Sequence, residues 1–340
     1  MRKLNVLVAG STGYIGIQLI KLLSNHKNIK IKYLCGNSSV GKKITFFDKD
    51  LKNKKLPKIV KFNKAYLKNV DIIFTALPNG EAQQISKEIL KNNTLIDLAA
   101  DFRLGTAQSY LKWYKQKHKA PKNIKKSIYS LPEFSGDKVK KYKIISCPGC
   151  YPTSILLPLL PLINKDMIKL DNIIIDSKSG YSGAGRGVHK KYANKNLYES
   201  LSAYKVGFHR HNSEIDQEIK KLTSKKFNFT FTPHLSPMFR GILSTIYIDT
   251  KNKFSLYDLN NELKKYYLKK KFVKIRKPNT FISTNNVINT NYCYISLCKT
   301  KYKNRYVILS AIDNLIKGGA GQAVQNMNIK FNFNESKSLT

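Results

Sequence analysis

The residue best suited to covalent chemistry is a cysteine in the segment CPGCYPT, residues 147–153. A Pro-Gly pair predicts a tight turn, and the apolar run that starts at Ile155 predicts a helix. Cys150 would then lie just before a helix N-terminus, where free N–H groups and the helix dipole lower the pKa of a thiol. Because the thiolate is the nucleophile, the pattern favours Cys150 as a covalent catalyst.

Two other interpretations of this cysteine stay open on these residues alone. A buried cysteine is commonly a small apolar core residue. Cys147 and Cys150 also form a Cys-x-x-Cys pair, which occurs in redox sites and in zinc sites. Zinc would need two more ligands at short spacing, and Cys35, Cys293 and Cys298 provide no second pair. We therefore expect no metal.

A second group of candidate residues lies in the segment GFHRHNSE, residues 207–214. If this segment is extended, His209 and His211 lie on one face and Arg210 lies on the other. One histidine can then act as general acid and base for the thiol, while the other histidine or Arg210 binds substrate. Ser213 can cap a helix that begins near Glu214. A zinc pair and ordinary surface histidines are the alternatives.

The N-terminal residues predict a dinucleotide-binding element. An apolar strand at residues 3–9 runs into the glycine turn GSTGYIG and then into a helical pattern. Strand, glycine turn and helix together place a pyrophosphate on the helix N-terminus. The predicted cofactor-binding residues of this turn are Gly10, Ser11, Thr12, Gly13, Tyr14, Ile15 and Gly16.

The end of the next predicted strand, residues 29–34, bears on the choice of cofactor. An acidic residue near this point holds the ribose 2′-hydroxyl of NAD, whereas residues 35–43 contain none. Ser38, Ser39 and the following lysines are compatible with a 2′-phosphate, which favours NADPH/NADP⁺. A basic surface loop is the alternative interpretation.

The remaining pattern predicts the architecture. Strands at residues 70–77 and 94–99 flank a helix at residues 81–91, which is typical of a parallel, doubly wound sheet. Loops at the carboxyl ends of such strands contact ligands, and this places Pro78, Asn79, Asp101 and Arg103 near cofactor or substrate. For Asp101 and Arg103, a local ion pair is the alternative.

The second half of the chain has a different pattern. A strand at residues 173–179 enters a glycine-rich loop, residues 180–187, which can present N–H groups to an anion or serve as a connector. Residues 231–242 predict a strand, a turn and a strand, and residues 243–248 alternate like a half-exposed antiparallel strand. Residues 313–328 predict a glycine loop and a helix that packs on the first domain.

Composition limits the remaining possibilities. With 340 residues, 42% of them hydrophobic, the chain can bury one large core or two domains. It has no apolar run of membrane-spanning length, and the apolar stretch after Arg2 and Lys3 is too short for a signal peptide. Five irregularly spaced cysteines do not predict a disulfide framework. We expect a cytoplasmic protein.

The net charge of +40 is unusual. Nucleic acid or an anionic surface would explain such a charge, but the lysines are scattered along the chain instead of forming one basic segment. Only seven arginines are present, and four of them lie in the motifs named here. A guanidinium suits carboxylate and phosphate, so the pattern favours an acidic small-molecule substrate over nucleic acid or membrane.

Seven motifs in one order make the chain similar to a known family. They are GSTGYIG, IDLAADFRL, PGCYPT, SGYSGAGR, HRH, PHLSPMFRGI and GGAGQAVQNMN, and they span nearly the whole length. In these motifs the chain resembles the N-acetyl-γ-glutamyl-phosphate reductases of arginine biosynthesis, which are related to aspartate-semialdehyde dehydrogenases.

The resemblance implies an α/β chain of two domains and a homotetramer or homodimer. Residues 1–149, completed by a C-terminal helix in residues 318–340, would form an NADP-binding Rossmann domain. Residues 150–317 would form an α+β catalytic and oligomerisation domain of the glyceraldehyde-phosphate-dehydrogenase type. Further cofactor contacts would come from Pro78, Ser182, Gly183 and Asn314.

The implied reaction is NADPH-dependent reduction of N-acetyl-L-glutamyl 5-phosphate to the 5-semialdehyde, with release of phosphate through a thioester on Cys150. The family pattern favours His209 over His211 as acid and base, although spacing alone does not choose between them. Arg103 is the candidate for the substrate phosphate. Arg210 and Arg240 are the candidates for its carboxylate.

The chain departs from the family at several positions. Family members commonly have Asn at Cys147, His at Asn79, Gly at Ser130 and Pro at Ser213, and an Arg at Asn37 that would favour NADP. The second thiol suggests the hypothesis that a Cys147–Cys150 disulfide reversibly inactivates the enzyme. Alternative functions are a reductase of carrier-linked aminoadipyl phosphate, an aspartate-semialdehyde dehydrogenase, a cysteine hydrolase and a nucleic-acid-binding protein. NADPH binding separates the reductases from the last two.

Overall fold

The computed structural model describes residues 2–186, 199–251 and 254–340. It divides into two compact units, of which unit 1 comprises Met1–Pro148 with Gly319–Thr340 and unit 2 comprises Gly149–Gly318. Gly187, the last residue of the predicted glycine-rich loop, lies outside the described residues.

Unit 1 contains the predicted parallel sheet. Its order is β3-β2-β1-β4-β5-β7-β6 and every pairing is parallel. The four residues of β4 and of β5 are all buried, as expected for central strands covered on both faces. The strands are β1 Leu4–Ala9, β2 Ile29–Cys35, β3 Ile59–Val60, β4 Ile72–Thr75, β5 Thr94–Asp97, β6 Ser127–Tyr129 and β7 Ile144–Ser146.

The helices of unit 1 are α1 Tyr14–Ser24, α2 Glu81–Glu88, α3 Ala107–Tyr114, α4 Pro121–Ile124, α5 Pro132–Ser135 and, after unit 2 in the chain, α9 Gly321–Lys330. Helix α9 contacts α1, which confirms the prediction that the C-terminal helix packs on the first domain. It is entered through a π-helical turn at Ile316–Ala320, where the sequence predicted a glycine loop.

Unit 2 contains a mixed sheet in the order β12-β13-β14-β11-β8-β10-β9. Strand β11 pairs antiparallel with β8 and β14 and has alternating burial, as predicted for this segment. The strands are β8 Ile173–Gly180, β9 Ser202–Ala203, β10 Phe229–Ser236, β11 Ile242–Asp249, β12 Val273–Ile275, β13 Cys293–Lys299 and β14 Arg305–Ile312.

The described helices of unit 2 are α6 Cys150–Asn164, α7 Asn212–Lys220 and α8 Leu256–Tyr267. Helix α6 packs on β11, β14 and the other two helices, and all its residues from Tyr151 to Ile163 are buried. It begins at Cys150, five residues before the apolar run that predicted it, because Pro148 and Gly149 form the turn. In the described ranges, no helix has the length and apolar character needed to cross a membrane.

Candidate active site

The glycine turn of unit 1 has a backbone that side chains would disrupt. Gly10 has a φ of +83°, and a Cβ there would lie 2.2 Å from the carbonyl oxygen of Ala76. A Cβ on Gly16 would lie 2.2 Å from the carbonyl oxygen of Gly10. Both glycines are therefore needed to bring β1, β4 and the start of α1 close together.

The other residues of this turn divide into anchoring and accessible groups. Ser11 is buried, and its hydroxyl donates to the carbonyl oxygen of Cys35 at 3.1 Å, so it ties the turn to β2. Thr12, Gly13 and Tyr14 are partly accessible at the N-terminus of α1, where Gly13 has no side chain with which to cap the helix. The first N–H groups of α1 thus fit a pyrophosphate.

The two serines that follow β2 lie in different environments. Ser38 is exposed, whereas Ser39 is buried. Gly36 packs on Ile59 and lies near the Ser11 hydroxyl, which places this loop beside the glycine turn. Of the two hydroxyls, only Ser38 is accessible for a 2′-phosphate contact.

Pro78, Asp101 and Arg103 lie near the carboxyl ends of the strands of unit 1. Pro78 is exposed after β4. The buried Asp101 carboxylate accepts hydrogen bonds from the N–H groups of Gly80 (2.7 Å) and Gln83 (3.2 Å), so it positions the start of α2. Arg103 is also buried and donates from Nε to the carbonyl oxygen of Cys147, at 2.9 Å.

Asp97, at the end of β5, is a further buried carboxyl that the sequence patterns did not single out. It accepts a 2.6 Å hydrogen bond from the Thr75 hydroxyl. Burial, and then the charge of Asp101, raise the pKa of Asp97, while Arg103 lowers it. The net effect raises the pKa of Asp97 to about 7, so Arg103 offsets only part of the cost of burying this carboxyl.

In unit 2, Cys150 is the first residue of α6 and is half-buried. Gly149 caps this helix without a side chain, so the N-terminal N–H groups and dipole act on the thiol. A Cβ on Gly318 would lie 2.7 Å from the Cβ of Cys150. The π-helical turn therefore packs directly against the proposed nucleophile, and only glycine leaves room for it.

His211 lies beside the residue that precedes Cys150. A Cβ on Gly149 would lie 2.5 Å from Nε2 of His211, so the imidazole covers the glycine closely. Glu214, which is fully buried, accepts a 2.8 Å hydrogen bond from the Gly149 N–H through Oε2. Its Oε1 lies 3.8 Å from Nε2 of His211. Thiol, imidazole and carboxylate are thus associated around one turn of backbone.

His209 has a different environment. Its ring lies 5.6 Å from each of the rings of Tyr151, Tyr204 and Phe231, measured between centroids. Burial, and then the positive charges of Arg210 and Lys205, lower the pKa of His209 to about 3. The ring is therefore neutral.

The neutral ring of His209 supports the backbone of its neighbour. The backbone N–H of His211 donates to Nδ1 of His209 at 3.1 Å, which assigns the proton of the neutral ring to Nε2. The centroids of the two rings are 4.6 Å apart. His209 thus orients His211, and the geometry favours His211 as the residue that exchanges protons.

The prediction that Ser213 caps α7 is wrong. The helix begins at Asn212 with His211 at the N-cap position, and His209 to His211 form a turn instead of an extended segment. The Ser213 hydroxyl donates backward to the carbonyl oxygen of Arg210, at 2.6 Å. The turn forms because hydrogen bonds within residues 207–214 satisfy its backbone.

Three other predicted site residues of unit 2 are engaged in structural contacts. Asn314 accepts from the Gly241 N–H at 2.7 Å and donates to the Ser182 hydroxyl at 3.0 Å. Arg240 forms an ion pair with the buried Asp313, at 3.2 Å. Arg210 and Gly183, by contrast, are exposed.

Cys147 lies in the buried core of unit 1. Its Sγ is 3.9 Å from Nδ2 of Asn326, and burial raises the pKa of this thiol to about 12. A thiol with so little thiolate reacts slowly in disulfide exchange. The structure thus gives no support to a Cys147–Cys150 redox switch.

Sequence reasoning missed Glu214 and Gly318. For Glu214, the available signal was the spacing His-x-x-Glu from His211 to Glu214. This spacing places the two side chains near one another at a helix start. Gly318 had no such signal, since its partner Cys150 is distant in sequence. Within the described ranges, no group of three or more His, Cys, Asp or Glu is arranged to hold a metal ion.

Comparisons with known proteins agree with this arrangement. Residues 5–142 match the family model described as semialdehyde dehydrogenase, NAD binding domain. Residues 150–314 match the model described as semialdehyde dehydrogenase, dimerisation domain.

Curated relatives match over nearly the whole chain. A protein of Clostridium beijerinckii named N-acetyl-gamma-glutamyl-phosphate reductase is 41% identical over 333 residues, which cover 98% of this chain and 96% of the relative. A protein of Arabidopsis thaliana named probable N-acetyl-gamma-glutamyl-phosphate reductase, chloroplastic, is 38% identical over 338 residues, covering 99% of this chain and 84% of the relative.

Solved structures share the fold. Aspartate semialdehyde dehydrogenase II from Vibrio cholerae, complexed with ASA, has a TM-score of 0.73 at 15% identity and covers 98% of this chain and 99% of its own. The resemblance in fold therefore extends over both units.

Proposed function

The chain belongs to the N-acetyl-gamma-glutamyl-phosphate reductase family, and on that premise we propose that it reduces N-acetyl-L-glutamyl 5-phosphate to N-acetyl-L-glutamate 5-semialdehyde and releases phosphate in arginine biosynthesis. Identity of about 40% over nearly the full length carries this proposal. The position of Cys150 at the start of α6, with His211 against the preceding Gly149, agrees with the chemistry.

The NADPH-binding residues belong to the glycine turn of unit 1 and the loop after β2. Thr12, Gly13 and Tyr14 would hold the pyrophosphate, and Ser38 would contact the 2′-phosphate. When bound, NADPH supplies the hydride of the reaction. We assign residues 1–149 with residues 318–340 to this domain and residues 150–317 to the catalytic domain. Pro78, Ser182, Gly183 and Asn314 remain proposed as further cofactor contacts.

Cys150 carries the covalent step. Its thiolate attacks the acyl carbon of the substrate, a C–S bond forms, and the bond to the phosphate oxygen breaks so that phosphate leaves. The α6 N-terminus stabilises both the thiolate and the negative charge that develops on the carbonyl oxygen.

His211 exchanges the protons. It takes the thiol proton when Cys150 attacks, and it donates a proton to the alkoxide that follows hydride addition. As the C–S bond breaks and the aldehyde forms, the hydroxyl proton returns to the imidazole. His209 holds the His211 backbone in place, as its hydrogen bond to the His211 N–H indicates.

The arginines are proposed substrate contacts. Arg103 would bind the phosphate, and Arg210 and Arg240 would bind the carboxylate, because guanidinium groups match both anions. Arg240 would do so while paired with Asp313, which fixes its position.

The chain is further proposed to act as a homodimer or homotetramer, since its second half matches a dimerisation domain. We propose a cytoplasmic location, as for a biosynthetic enzyme with a small-molecule substrate. Nucleic acid and membranes are not among the proposed partners.

The test is phosphate-dependent reduction of NADP⁺ by N-acetyl-glutamate semialdehyde, with aspartate semialdehyde and a carrier-linked aminoadipate semialdehyde in parallel. We expect activity with the first substrate, its loss in Cys150→Ser, and its retention in the matched variant Cys147→Ser. Preference for another semialdehyde would overturn the substrate assignment. NADPH that does not bind to the folded chain would overturn the function.

A further inference from the structure

Resting on the proposed function, we propose that Asp313 is a positioning residue that links substrate binding to the nucleophile. One oxygen of its buried carboxylate holds Arg240, and the other caps the turn that packs on Cys150. The ion pair with Arg240 concerns the substrate alone. The cap is a second contact of the same side chain, and through it the carboxylate site and the thiol keep a fixed geometry within unit 2.

The two oxygens of the Asp313 carboxylate accept hydrogen bonds from different parts of unit 2. Oδ2 accepts from Nη1 of Arg240 at 3.2 Å and from the N–H of Asn289 at 2.8 Å. Oδ1 accepts from the N–H groups of Leu315, at 2.8 Å, and Ile316, at 3.2 Å. One carboxylate therefore connects the guanidinium to the backbone that leads into the π-helical turn.

The burial of Asp313 shows that both contacts are needed to account for this residue. It is fully buried, and a buried carboxylate is costly unless an opposite charge and hydrogen bonds compensate it. A residue that only caps a turn needs no charge, because Asn, Ser or Thr accepts the same N–H groups. The charge is therefore explained by Arg240, and the place at the start of a turn is explained by the cap.

The guanidinium of Arg240 is held by one of its nitrogens. Nη1 donates to Oδ2 of Asp313 and to Oδ1 of Asn289. Across the part of the chain that the structure describes, Nε and Nη2 have no hydrogen-bond partner, which leaves two donors for the substrate carboxylate. The backbone beside Arg240 is fixed as well, because Asn314 accepts from the N–H of Gly241 at 2.7 Å.

The backbone of Asp313 continues the link towards the nucleophile. Its carbonyl oxygen accepts from the N–H of Gly318 at 2.9 Å, five residues further along, which is the hydrogen-bond pattern of a π-helix. A Cβ on Gly318 would lie 2.7 Å from the Cβ of Cys150. Because the turn and the nucleophile are packed this closely, a displacement of Asp313 changes the surface against which Cys150 is held.

The experiment compares Asp313→Asn with the matched control Asn289→Gly. Asparagine keeps the size of the side chain but loses the charge, and its amide turns N–H donors towards one of the two groups that now donate to the carboxylate. Glycine at position 289 suits the φ of +63°, keeps the N–H that Asp313 accepts and removes only the side chain that holds Arg240.

Two measurements are made on each chain. The first is kcat and KM for N-acetyl-glutamate semialdehyde in phosphate-dependent NADP⁺ reduction. The second is amide hydrogen exchange, without substrate, of the peptide that contains residues 313–320. The exchange rate reports on the turn and is independent of the reaction.

We expect Asp313→Asn to raise KM about tenfold, because Arg240 loses its partner, and to lower kcat about tenfold, because Cys150 loses its support. Exchange of the turn peptide should become about tenfold faster. Asn289→Gly should raise KM while kcat and the exchange rate stay unchanged. In Asp313→Asn, a raised KM with unchanged kcat and exchange would overturn the proposal, since the carboxylate would then serve Arg240 alone.

Further outcomes separate this inference from the proposed function. If Asp313→Asn does not fold, Asp313→Glu decides, because it keeps the charge and displaces the carboxylate by one methylene group. A raised KM together with a lowered kcat would support the proposal there, and an unchanged value of either would overturn it. If the unsubstituted chain has no phosphate-dependent activity, the proposed function fails and the inference fails with it. Full activity of that chain with an unchanged kcat in Asp313→Asn rejects the inference alone.

Discussion

Two histidines separated by one residue have opposite electrostatic surroundings. His209 is enclosed by aromatic rings and its pKa is lowered to about 3, mainly by burial. His211 faces the Glu214 carboxylate. The motif His-Arg-His alone cannot distinguish them, because the difference arises from residues contributed by β10 and the two helices around the site.

This difference predicts how stability depends on pH. His209 has a folded-state pKa below its ordinary value of 6.5, so below pH 6.5 the unfolded chain binds a proton that the folded chain excludes. The free energy of unfolding should therefore fall as the pH decreases from 6.5 towards 3. In His209→Gln this contribution is absent, and the slope should be smaller by up to about 1.4 kcal/mol per pH unit.

Urea unfolding of both chains at a series of pH values between 7 and 5 checks this prediction. His26→Gln is the matched control, because burial also lowers the pKa of His26 but it lies in unit 1. Equal slopes in the unsubstituted chain and in His209→Gln would show that His209 titrates normally in the folded state.

The neighbouring cysteine predicts an absence of redox regulation. Cys147 is buried with a raised pKa of about 12, and thiolate is the reactive form. Peroxide should inactivate Cys147→Ser as fast as the unsubstituted chain, and thiol should restore both to the same extent. Rates of inactivation and recovery measure this, and slower recovery in the variant would restore the disulfide hypothesis.

At the scale of the secondary-structure elements, the start of α6 restricts the size of the residues that pack against it. It begins at Cys150 with glycine before it, and the π-helical turn at Ile316–Ala320 packs on its first residue. Gly149 has an ordinary φ of −65°, so it is required for space and not for backbone conformation. The helix start and its nearest neighbours thus leave room for a thiol and an imidazole.

Gly149→Ala is therefore expected to displace His211 without unfolding the chain. A Cβ there would lie 2.5 Å from Nε2 of His211, and a displacement near 1 Å reduces kcat about 100-fold. Steady-state kinetics measure the loss, with NADP⁺ binding as the check on folding.

The double variant Gly149→Ala, His211→Ala provides the control. The three atoms nearest to the added methyl group all belong to the imidazole, so in the absence of that ring the methyl group should cost little further activity beyond that of His211→Ala. Additive losses would contradict the steric explanation, because they would show that the methyl group acts elsewhere.

The sequence predicted the elements better than the contacts between them. Cys150 at a helix start followed from the Pro-Gly turn, and the parallel sheet followed from apolar strands that alternate with helices. The roles of Glu214 and Gly318 did not follow, since their partners, Gly149 and Cys150, are remote in sequence. Ser213 was mistaken for a cap because local propensity cannot anticipate that the turn of residues 207–211 extends the helix start.

For the molecule as a whole, the charge of +40 has a kinetic consequence. The proposed substrate carries carboxylate and phosphate groups, which a basic protein attracts at long range. We expect kcat/KM to fall about tenfold when the salt concentration is raised from a low value to one at which charges more than a few ångströms apart no longer interact.

Alkylation of Cys150 by the neutral reagent iodoacetamide is the control, because its rate should not change with salt. A kcat/KM independent of ionic strength would show that the positive charge is unrelated to substrate capture. Equal salt dependence of the alkylation rate would indicate instead that salt alters the structure around the thiol.

The most direct test of the account is to trap the acyl group on Cys150. The chain is mixed with N-acetyl-glutamate semialdehyde and NADP⁺ without phosphate, digested at acidic pH and examined by peptide mass spectrometry. We predict one acyl group on the peptide that contains Cys150, its discharge when phosphate is added, and its absence in Cys150→Ser. NADPH formation without an acyl group on Cys150, or with the group on another residue, would contradict the account.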